Sequence, residues 1–92
     1  MGVSMWWVYL LYSVVAKRTY TGCASNVRNR LEQHNQGRVR ATAGRGPWLL
    51  IYTEQVSGYA EARARERYFK SGAGRRRIKA ILTTWSERCQ SG

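Results

Sequence analysis

Four side chains in the first half of the chain are of types that can act together on a phosphodiester. Tyr9 and Tyr20 each lie in a strand-like run, and Arg30 and His34 follow on a segment with helical spacing. A phenol can take a proton from water, a guanidinium can hold a phosphate with two hydrogen bonds, and an imidazole can assist proton transfer. The order of these residues therefore suits phosphodiester hydrolysis.

Each of these residues also has a structural interpretation. Tyr9 and Tyr20 can form a cross-strand aromatic pair. Arg30 can be a solvated helix residue or the partner of a glutamate, and His34 can pack against the sheet. In the catalytic interpretation, nearby cations lower the pKa of Tyr9 below its ordinary value of about 10. As the sole histidine, His34 would then give a response at about pH 6 to 7.

The acidic residues restrict the metal chemistry that the chain can support. There are five glutamates and no aspartate, too few to hold two ions about 4 Å apart. Glu66 shares a helical face with Ala62 and Phe69, so its carboxylate should point inward and need a metal ion or Arg30 as partner. The sequence therefore predicts one Mg²⁺ (or Mn²⁺) ion held by Glu66 and water. The alternative is a surface pair of Glu66 with Lys70.

The charge balance points to a polyanionic partner. Sixteen lysines and arginines, thirteen of them arginine, give a net charge of +11, and arginine grips phosphate oxygens in pairs. Nucleic acid is the foremost partner, with a basic protein lacking a dedicated partner and an anionic membrane surface as alternatives. The residues expected to contact nucleic acid, unless they only form a solvated face, are Arg38, Arg40, Arg45, Lys70, Arg75, Arg76 and Arg77.

Cysteine usage and the apolar N-terminal run bear on location. Cys23 and Cys89 form no zinc-binding pattern. We expect two free thiols in a reducing cytoplasm, with one disulfide as the alternative. The apolar run over residues 5–16 is too short to span a bilayer, and its positive charges follow it, unlike those of a signal peptide. The sequence thus predicts a cytoplasmic protein without a transmembrane segment.

Hydrophobic periodicity predicts a single α+β domain. Length and pattern favour one domain over residues 1–92, with a core of about 6–85 and a frayed tail over 86–92. The expected elements, in chain order, are strands over 6–14 and 19–24, a helix over 26–35, a strand over 48–56, a helix over 59–71 and a last helix from 75 onward.

Several residues have expected positions within these elements. Ser25 should cap the first helix, and Gly72 and Gly74 should break the chain before the last one. Because the strand over 48–56 contains a continuous apolar stretch, it should be buried on both faces in a central position. Gly22 should allow backbone or ligand to approach closely.

Four sequence elements in order carry a family resemblance. They are Val8-Tyr9-Leu10, Tyr20-Thr21-Gly22, residues 27–35, and residues 61–66 with Lys70 close behind. On these residues the chain resembles a small standalone member of the GIY-YIG nuclease superfamily from about Trp6 to Leu82. The resemblance implies a three-stranded antiparallel sheet flanked by helices (β-β-α-β-α-α) and metal-dependent cleavage of nucleic-acid phosphodiesters. It places at the active-site positions Tyr9, Tyr20, Arg30, His34 and Glu66.

The chain departs from the family pattern in both triplets and in its later part. The first triplet lacks Gly and Ile, and the second has Thr21 where Ile is usual. Many members also carry an active-site Asn well after the acidic residue, whereas no Asn follows Asn35 here. The role of that Asn is therefore vacant or filled by another residue.

These observations lead to one main hypothesis and two alternatives. The main hypothesis is a Mg²⁺-dependent endonuclease acting on DNA, with single-stranded or branched forms as preferred substrates. Its specificity would come from nucleic-acid shape, a few base contacts or a protein partner. The first alternative is a non-catalytic nucleic-acid-binding module with the same fold, and the second is a basic domain that binds proteins or a membrane surface. The choice between DNA and RNA and the oligomeric state stay open.

Overall fold

Three antiparallel strands and three helices follow one another in the computed structural model, which describes residues 5–90. This order confirms the predicted α+β fold with the succession β-β-α-β-α-α. Among the described residues, no helix combines the length and the apolar character that crossing a membrane requires. The elements are β1 (Trp6–Ser13), β2 (Arg18–Ala24), α1 (Val27–Asn35), β3 (Trp48–Val56), α2 (Tyr59–Phe69) and α3 (Gly72–Gln90).

β1 is the central strand of the sheet, whose order is β2-β1-β3 with both pairings antiparallel. Its side chains alternate between two core clusters, as successive side chains of a strand do. Val8 and Leu10 pack with residues of α2 and α3 on one face, and Tyr9 and Leu11 pack with residues of α1 on the other. Because all four are fully buried, a slip of one residue would exchange the two faces, and the register is strongly specified.

β3 lies at an edge of the sheet, so the prediction of a central strand buried on both faces is wrong. Leu49 and Leu50 are 39% and 37% exposed. Both β1 and β3 contain apolar runs, but β1, with four consecutive fully buried residues, is the central strand. A continuous apolar run shows that a strand is partly buried, but it does not determine which edges are paired.

The helix boundaries differ from the predicted ones at three points. The N-cap of α1 is Asn26 instead of Ser25, since the Asn26 side chain accepts a hydrogen bond from the Asn29 backbone N–H at 3.0 Å. The second helix ends at Phe69, and Gly72 begins α3 instead of breaking the chain. The predicted tail is helical as far as residue 90, and residues 91–92 lie outside the described part of the chain.

Gly74 is required where α2 meets α3. A Cβ atom built on Gly74 would lie 2.0 Å from the Tyr68 carbonyl oxygen and 2.4 Å from the Phe69 Cα atom. Both distances are far below van der Waals contact, so the absent side chain lets the two helices approach. Gly72, in the same helix, would place a Cβ atom in open space.

Gly74→Ala should therefore lower the free energy of unfolding by about 1–3 kcal/mol or more, since backbone must move to admit the methyl group. Gly72→Ala is the matched control. It should leave stability unchanged or raise it by up to about 1 kcal/mol, because alanine favours helix over glycine. Urea unfolding followed by circular dichroism measures both, and equal stabilities of the two variants would contradict the close contact.

Candidate active site

A chain of hydrogen bonds links the first strand, the first helix and the loop that follows the helix. The Tyr9 hydroxyl lies 2.8 Å from Nε2 of His34. Nδ1 of His34 lies 2.7 Å from Oγ1 of Thr42, and the Thr42 hydroxyl donates to the Val39 carbonyl at 3.3 Å. All three side chains are buried.

The direction of each bond follows from what the last acceptor can do. The Val39 carbonyl can only accept, so the single hydroxyl proton of Thr42 goes to it. Thr42 Oγ1 must then accept from Nδ1–H of His34, which leaves Nε2 without a proton. Nε2 therefore accepts the hydroxyl proton of Tyr9. This assignment requires a neutral imidazole, which the lowering of the His34 pKa to about 4 by burial provides, and Thr42 then sets its tautomer.

Thr42 is a member of this hydrogen-bonded series that the sequence did not suggest. It belongs to the loop between α1 and β3, in which the sequence predicted a role only for arginines. Its carbonyl accepts from Nε1 of Trp48 at 3.1 Å, and the Asn35 side chain binds the Trp48 backbone at 2.6 and 3.2 Å. These bonds hold the loop against α1 and β3. Nothing in the spacing of Thr42 distinguishes it from an ordinary loop threonine.

Tyr20, Arg30 and Gly22 complete this side of the site. The Tyr20 ring lies 5.0 Å from the His34 ring and 6.5 Å from the Tyr9 ring, between centroids. Gly22 pairs with Tyr9 across the strands, and a Cβ atom on Gly22 would lie 2.5 Å from the Tyr9 hydroxyl oxygen. The glycine thus leaves the space that the phenol occupies. Arg30 is held by a 2.8 Å hydrogen bond from Nη1 to Gln33.

Burial shifts the pKa values of Tyr9 and His34 away from the values that the sequence suggested. It raises the pKa of Tyr9 to about 12, although the Arg30 guanidinium acts to lower it. Burial, and after it the charge of Arg30, lowers the pKa of His34 to about 4. The expected lowering of the Tyr9 pKa is therefore wrong for the protein alone. The response predicted for His34 at about pH 6 to 7 is wrong for the same reason.

Glu66 points inward from α2, as expected, and its carboxylate pairs with Lys70, the alternative partner, instead of with Arg30. The residue is 9% exposed. Its carboxylate accepts from Lys70 Nζ at 2.9 Å, from Arg63 Nη1 at 3.3 Å and from the Cys23 thiol at 3.4 Å. The inward position and the pair with Lys70 thus occur together. Burial alone raises the pKa of Glu66, but Lys70 and the other partners outweigh burial and bring the pKa below its ordinary value.

The five candidate residues fall into two groups beside β2. Tyr9, Tyr20 and His34 pack together on the α1 side of the sheet, with Arg30 beside them. Glu66 approaches from the α2 side and meets Cys23, the strand neighbour of Gly22. Cys23 also lines a cavity of about 230 Å³ together with Arg30. Cys23 packs with the cluster on the α2 and α3 side of the sheet, and Tyr9 packs with the cluster on the α1 side. The carboxylate and the phenols therefore approach β2 from opposite faces of the sheet.

The donor set around Glu66 fits one hard cation and no more. No group of three or more His, Cys, Asp or Glu side chains that could hold a metal occurs within residues 5–90. A single carboxylate completed by water is a binding mode that Mg²⁺ accepts. Arg63 and Lys70, whose side chains are 52% and 60% exposed, would have to turn away to free the oxygens. Cys23 and Cys89 are both free thiols.

The basic residues predicted to contact nucleic acid come from the loop between α1 and β3 and from the junction of α2 and α3. Lys70 and Arg75 line a common cavity, whereas the Arg77 guanidinium lies over the Tyr52 ring, 6.0 Å from its centroid. Arg45 donates to the Ala41 carbonyl at 3.1 Å. The remaining members, all exposed, are Arg38, Arg40 and Arg76.

Residues 5–79 match the family model of the GIY-YIG catalytic domain. A UPF0213 protein of Clostridium perfringens is 36% identical over 63 residues, which are 67% of this chain and 68% of that protein. A UPF0213 protein of Nitratidesulfovibrio vulgaris is 32% identical over 80 residues, 86% of this chain and 72% of that protein.

Two further comparisons concern an enzyme subunit and a solved structure. The structure-specific endonuclease subunit SLX1 of Homo sapiens is 37% identical over 68 residues, which are 66% of this chain but 24% of that protein. The solution NMR structure of a UPF0213 protein from Bacillus halodurans aligns with a TM-score of 0.50 and 28% identity over 84% of each chain.

Thr42→Val should remove the acceptor of the His34 Nδ1 proton while keeping the size of the side chain. We expect the free energy of unfolding to fall by about 1–3 kcal/mol, because a buried donor loses its partner. Thr83→Val is the control, since Thr83 is exposed and donates only to the Lys79 carbonyl of its own helix. Imidazole ¹⁵N spectra of the wild type should show the proton on Nδ1, and a wild-type proton on Nε2 would contradict the arrangement.

Proposed function

Because the chain belongs to the GIY-YIG family, we propose that it is an endonuclease that hydrolyses phosphodiester bonds in nucleic acid, with DNA as the substrate. The observation that carries the proposal is the buried series of hydrogen bonds from Tyr9 through His34 to Thr42. A purely structural aromatic pair would not need an oriented imidazole behind the phenol. With Arg30 beside it, the series has the parts of a hydrolytic site.

The high pKa of Tyr9 determines how the phenol can act. With a value of about 12, Tyr9 carries its proton at neutral pH, so a resting phenolate is not the base. Instead, the Tyr9 oxygen takes a proton from the attacking water while its own proton passes to Nε2 of His34. As the water oxygen bonds to phosphorus, the bond to the leaving oxygen breaks, and the leaving oxygen takes a proton from solvent water. The hydroxide left in the solvent is neutralised by the proton that His34 later gives up. The imidazolium that forms keeps its Nδ1 proton on Thr42.

Arg30 is the proposed phosphate clamp. Its guanidinium lies close enough to Tyr9 and His34 to influence the pKa of both, and Gln33 holds one of its nitrogens. The remaining donors can grip a phosphate oxygen pair and stabilise the charge that develops on it. The bound phosphate would also favour the protonated form of His34, which burial disfavours in the protein alone. Tyr20 is placed to position the water or the phosphate.

Glu66 is the proposed ligand of one divalent cation, Mg²⁺ or Mn²⁺, which when bound supplies charge neutralisation at the phosphate. Its carboxylate is the acid nearest to the strand that carries Gly22 and Cys23, as its contact with Cys23 indicates. Its role in the reaction requires that Lys70 and Arg63 give up their present bonds to it. The neighbouring cations therefore set the affinity of this site for a metal ion.

One relative supports a proposal for the preferred substrate and for a protein partner. We propose that the chain recognises single-stranded or branched DNA by its shape. SLX1 is a structure-specific endonuclease subunit, which supports a branched substrate and a partner protein for targeting.

A non-catalytic nucleic-acid-binding module is the second candidate. The present neutralisation of Glu66 by two cations favours it, as does the absence of any Asn after Asn35. Labelled single-stranded, duplex and branched DNA and RNA, incubated with Mg²⁺ or Mn²⁺ and with a chelator, separate the two candidates. Cleavage that the chelator abolishes supports the nuclease. Binding without cleavage of any substrate supports the module.

Tyr9→Phe should lower the cleavage rate by about 100-fold or more, since it removes the group that passes the proton. Tyr12→Phe is the matched control. It makes the same chemical change on the same strand, but Tyr12 packs against Trp85 with a ring separation of 6.1 Å and is no part of the site. It should cut close to the wild-type rate. A Tyr9→Phe variant that cuts as fast as Tyr12→Phe would contradict the proposed proton path.

Glu66→Gln should weaken Mn²⁺ binding by about tenfold or more, because it removes the charged ligand while keeping the shape of the side chain. Electron paramagnetic resonance of free Mn²⁺ measures this binding without reference to cleavage. Glu32→Gln, at an exposed position on α1, is the control and should bind Mn²⁺ as the wild type does. Unchanged Mn²⁺ binding by Glu66→Gln would remove Glu66 as the ligand.

A further inference from the structure

A basic groove lies beside Tyr20, where the turn between β1 and β2 faces the junction of α2 and α3. Its volume is about 480 Å³. Its floor is partly apolar, formed by Phe69 and Ile78. The polar residues that line the groove come from three separate parts of the chain and are Lys17, Arg18, Thr19, Tyr20, Thr21, Lys70 and Arg75.

The groove collects positive charge without acidic side chains among its lining residues. Of the four cations, Lys70 is the one whose ammonium group already binds a carboxylate, that of Glu66. Lys17 and Arg18 come from the turn and the start of β2, and Arg75 comes from the first turn of α3. Separate elements that each bring a cation to one groove suit a ligand that carries several negative charges along its length.

Tyr20 connects the groove to the candidate active site. Tyr20 is one of the residues that line the groove, and its ring lies 5.0 Å from the His34 ring on the other face of the edge strand β2. A polyanion held in the groove would therefore continue toward the phenols. We infer that this groove binds the phosphodiester backbone of the nucleic-acid strand on one side of the cleaved bond. The inference rests on the proposed function, since it deepens the same site.

Lys17 provides a clean way to test the groove. Among residues 5–90, it is the one residue other than glycine with a positive φ, 53°, in a region of backbone conformation that favours glycine. Lys17→Gly therefore removes the charge and at the same time relieves the backbone. A damaged turn would lower the unfolding midpoint. If the midpoint does not fall, a loss of binding in this variant comes from the removed charge.

The first experiment measures the affinity of the whole chain for a single-stranded oligonucleotide against salt concentration, with chelator present to prevent cleavage. Lys17→Gly should reduce the slope of log K against log salt by about 0.7, and the affinity at 0.1 M salt about fivefold. Its unfolding midpoint should equal or exceed that of the wild type. Arg28→Ala removes one charge on the far side of α1, in a different cavity, and should change the slope much less.

The second experiment places neutral methylphosphonate linkages on one side of the cleavage position or the other. If the groove holds the strand on one side, neutral linkages there should weaken wild-type binding and abolish the difference between wild type and Lys17→Gly. The same linkages on the opposite side should leave that difference intact. A difference that persists with both oligonucleotides would overturn the inference.

Further outcomes separate this inference from the proposed function. If Lys17→Gly cleaves and binds the oligonucleotide as the wild type does, the groove proposal fails and the proposed nuclease activity stands. If Lys17→Gly shows a reduced salt slope but the wild type does not cleave, the groove proposal is supported and the proposed nuclease activity fails. If Lys17→Gly changes binding to phosphatidylserine vesicles or inorganic phosphate but not to the oligonucleotide, the groove serves another anion and the inference fails.

Discussion

The hydrogen bond between the Tyr9 hydroxyl and Nε2 of His34 is the contact on which the rest of the site depends. It joins the central strand to α1 within the buried part of the protein. Gly22 makes room for the phenol, and Thr42 orients the imidazole from the opposite side. A buried polar group without a partner is costly, so each member of this series requires the next one. The site is thus part of the structure that holds the sheet, helix and loop together.

The chain has few acidic residues, and three of them make bonds that hold the structure together. Glu54 binds Arg65, Glu61 accepts from the backbone and side chain of Ser57 before α2, and Glu66 binds Lys70 and Arg63. With five acids against sixteen bases, most cations cannot have an acid of their own. The resulting field attracts polyanions to the whole surface, but local geometry, as at the groove beside Tyr20, determines where a strand would be held.

The sequence was a good guide wherever one residue reports on its own neighbours in the chain. Alternation placed Val8 and Tyr9 on opposite faces of β1, and the spacing of Ala62, Glu66 and Phe69 correctly indicated an inward carboxylate. It failed where contacts between distant segments decide the outcome.

Thr42 acquires its importance from meeting His34 in space, and the place of β3 depends on a competition with β1 for the centre of the sheet. The pKa values of Tyr9 and His34 moved as they did because burial outweighs the Arg30 charge for the phenol and adds to it for the imidazole. None of these balances has a signature in local periodicity.

Lys70 shows how a contact between distant segments links two proposals. Its ammonium group binds Glu66 at 2.9 Å, and its side chain lines the basic groove. A phosphate in the groove would compete with Glu66 for Lys70, so binding of the strand would free Oε2 of Glu66, the oxygen that Lys70 holds, for the metal ion. By linkage, a metal ion on Glu66 would equally free Lys70 for the strand. The cation that makes Glu66 a poor ligand in the protein alone would thus favour metal binding together with the substrate.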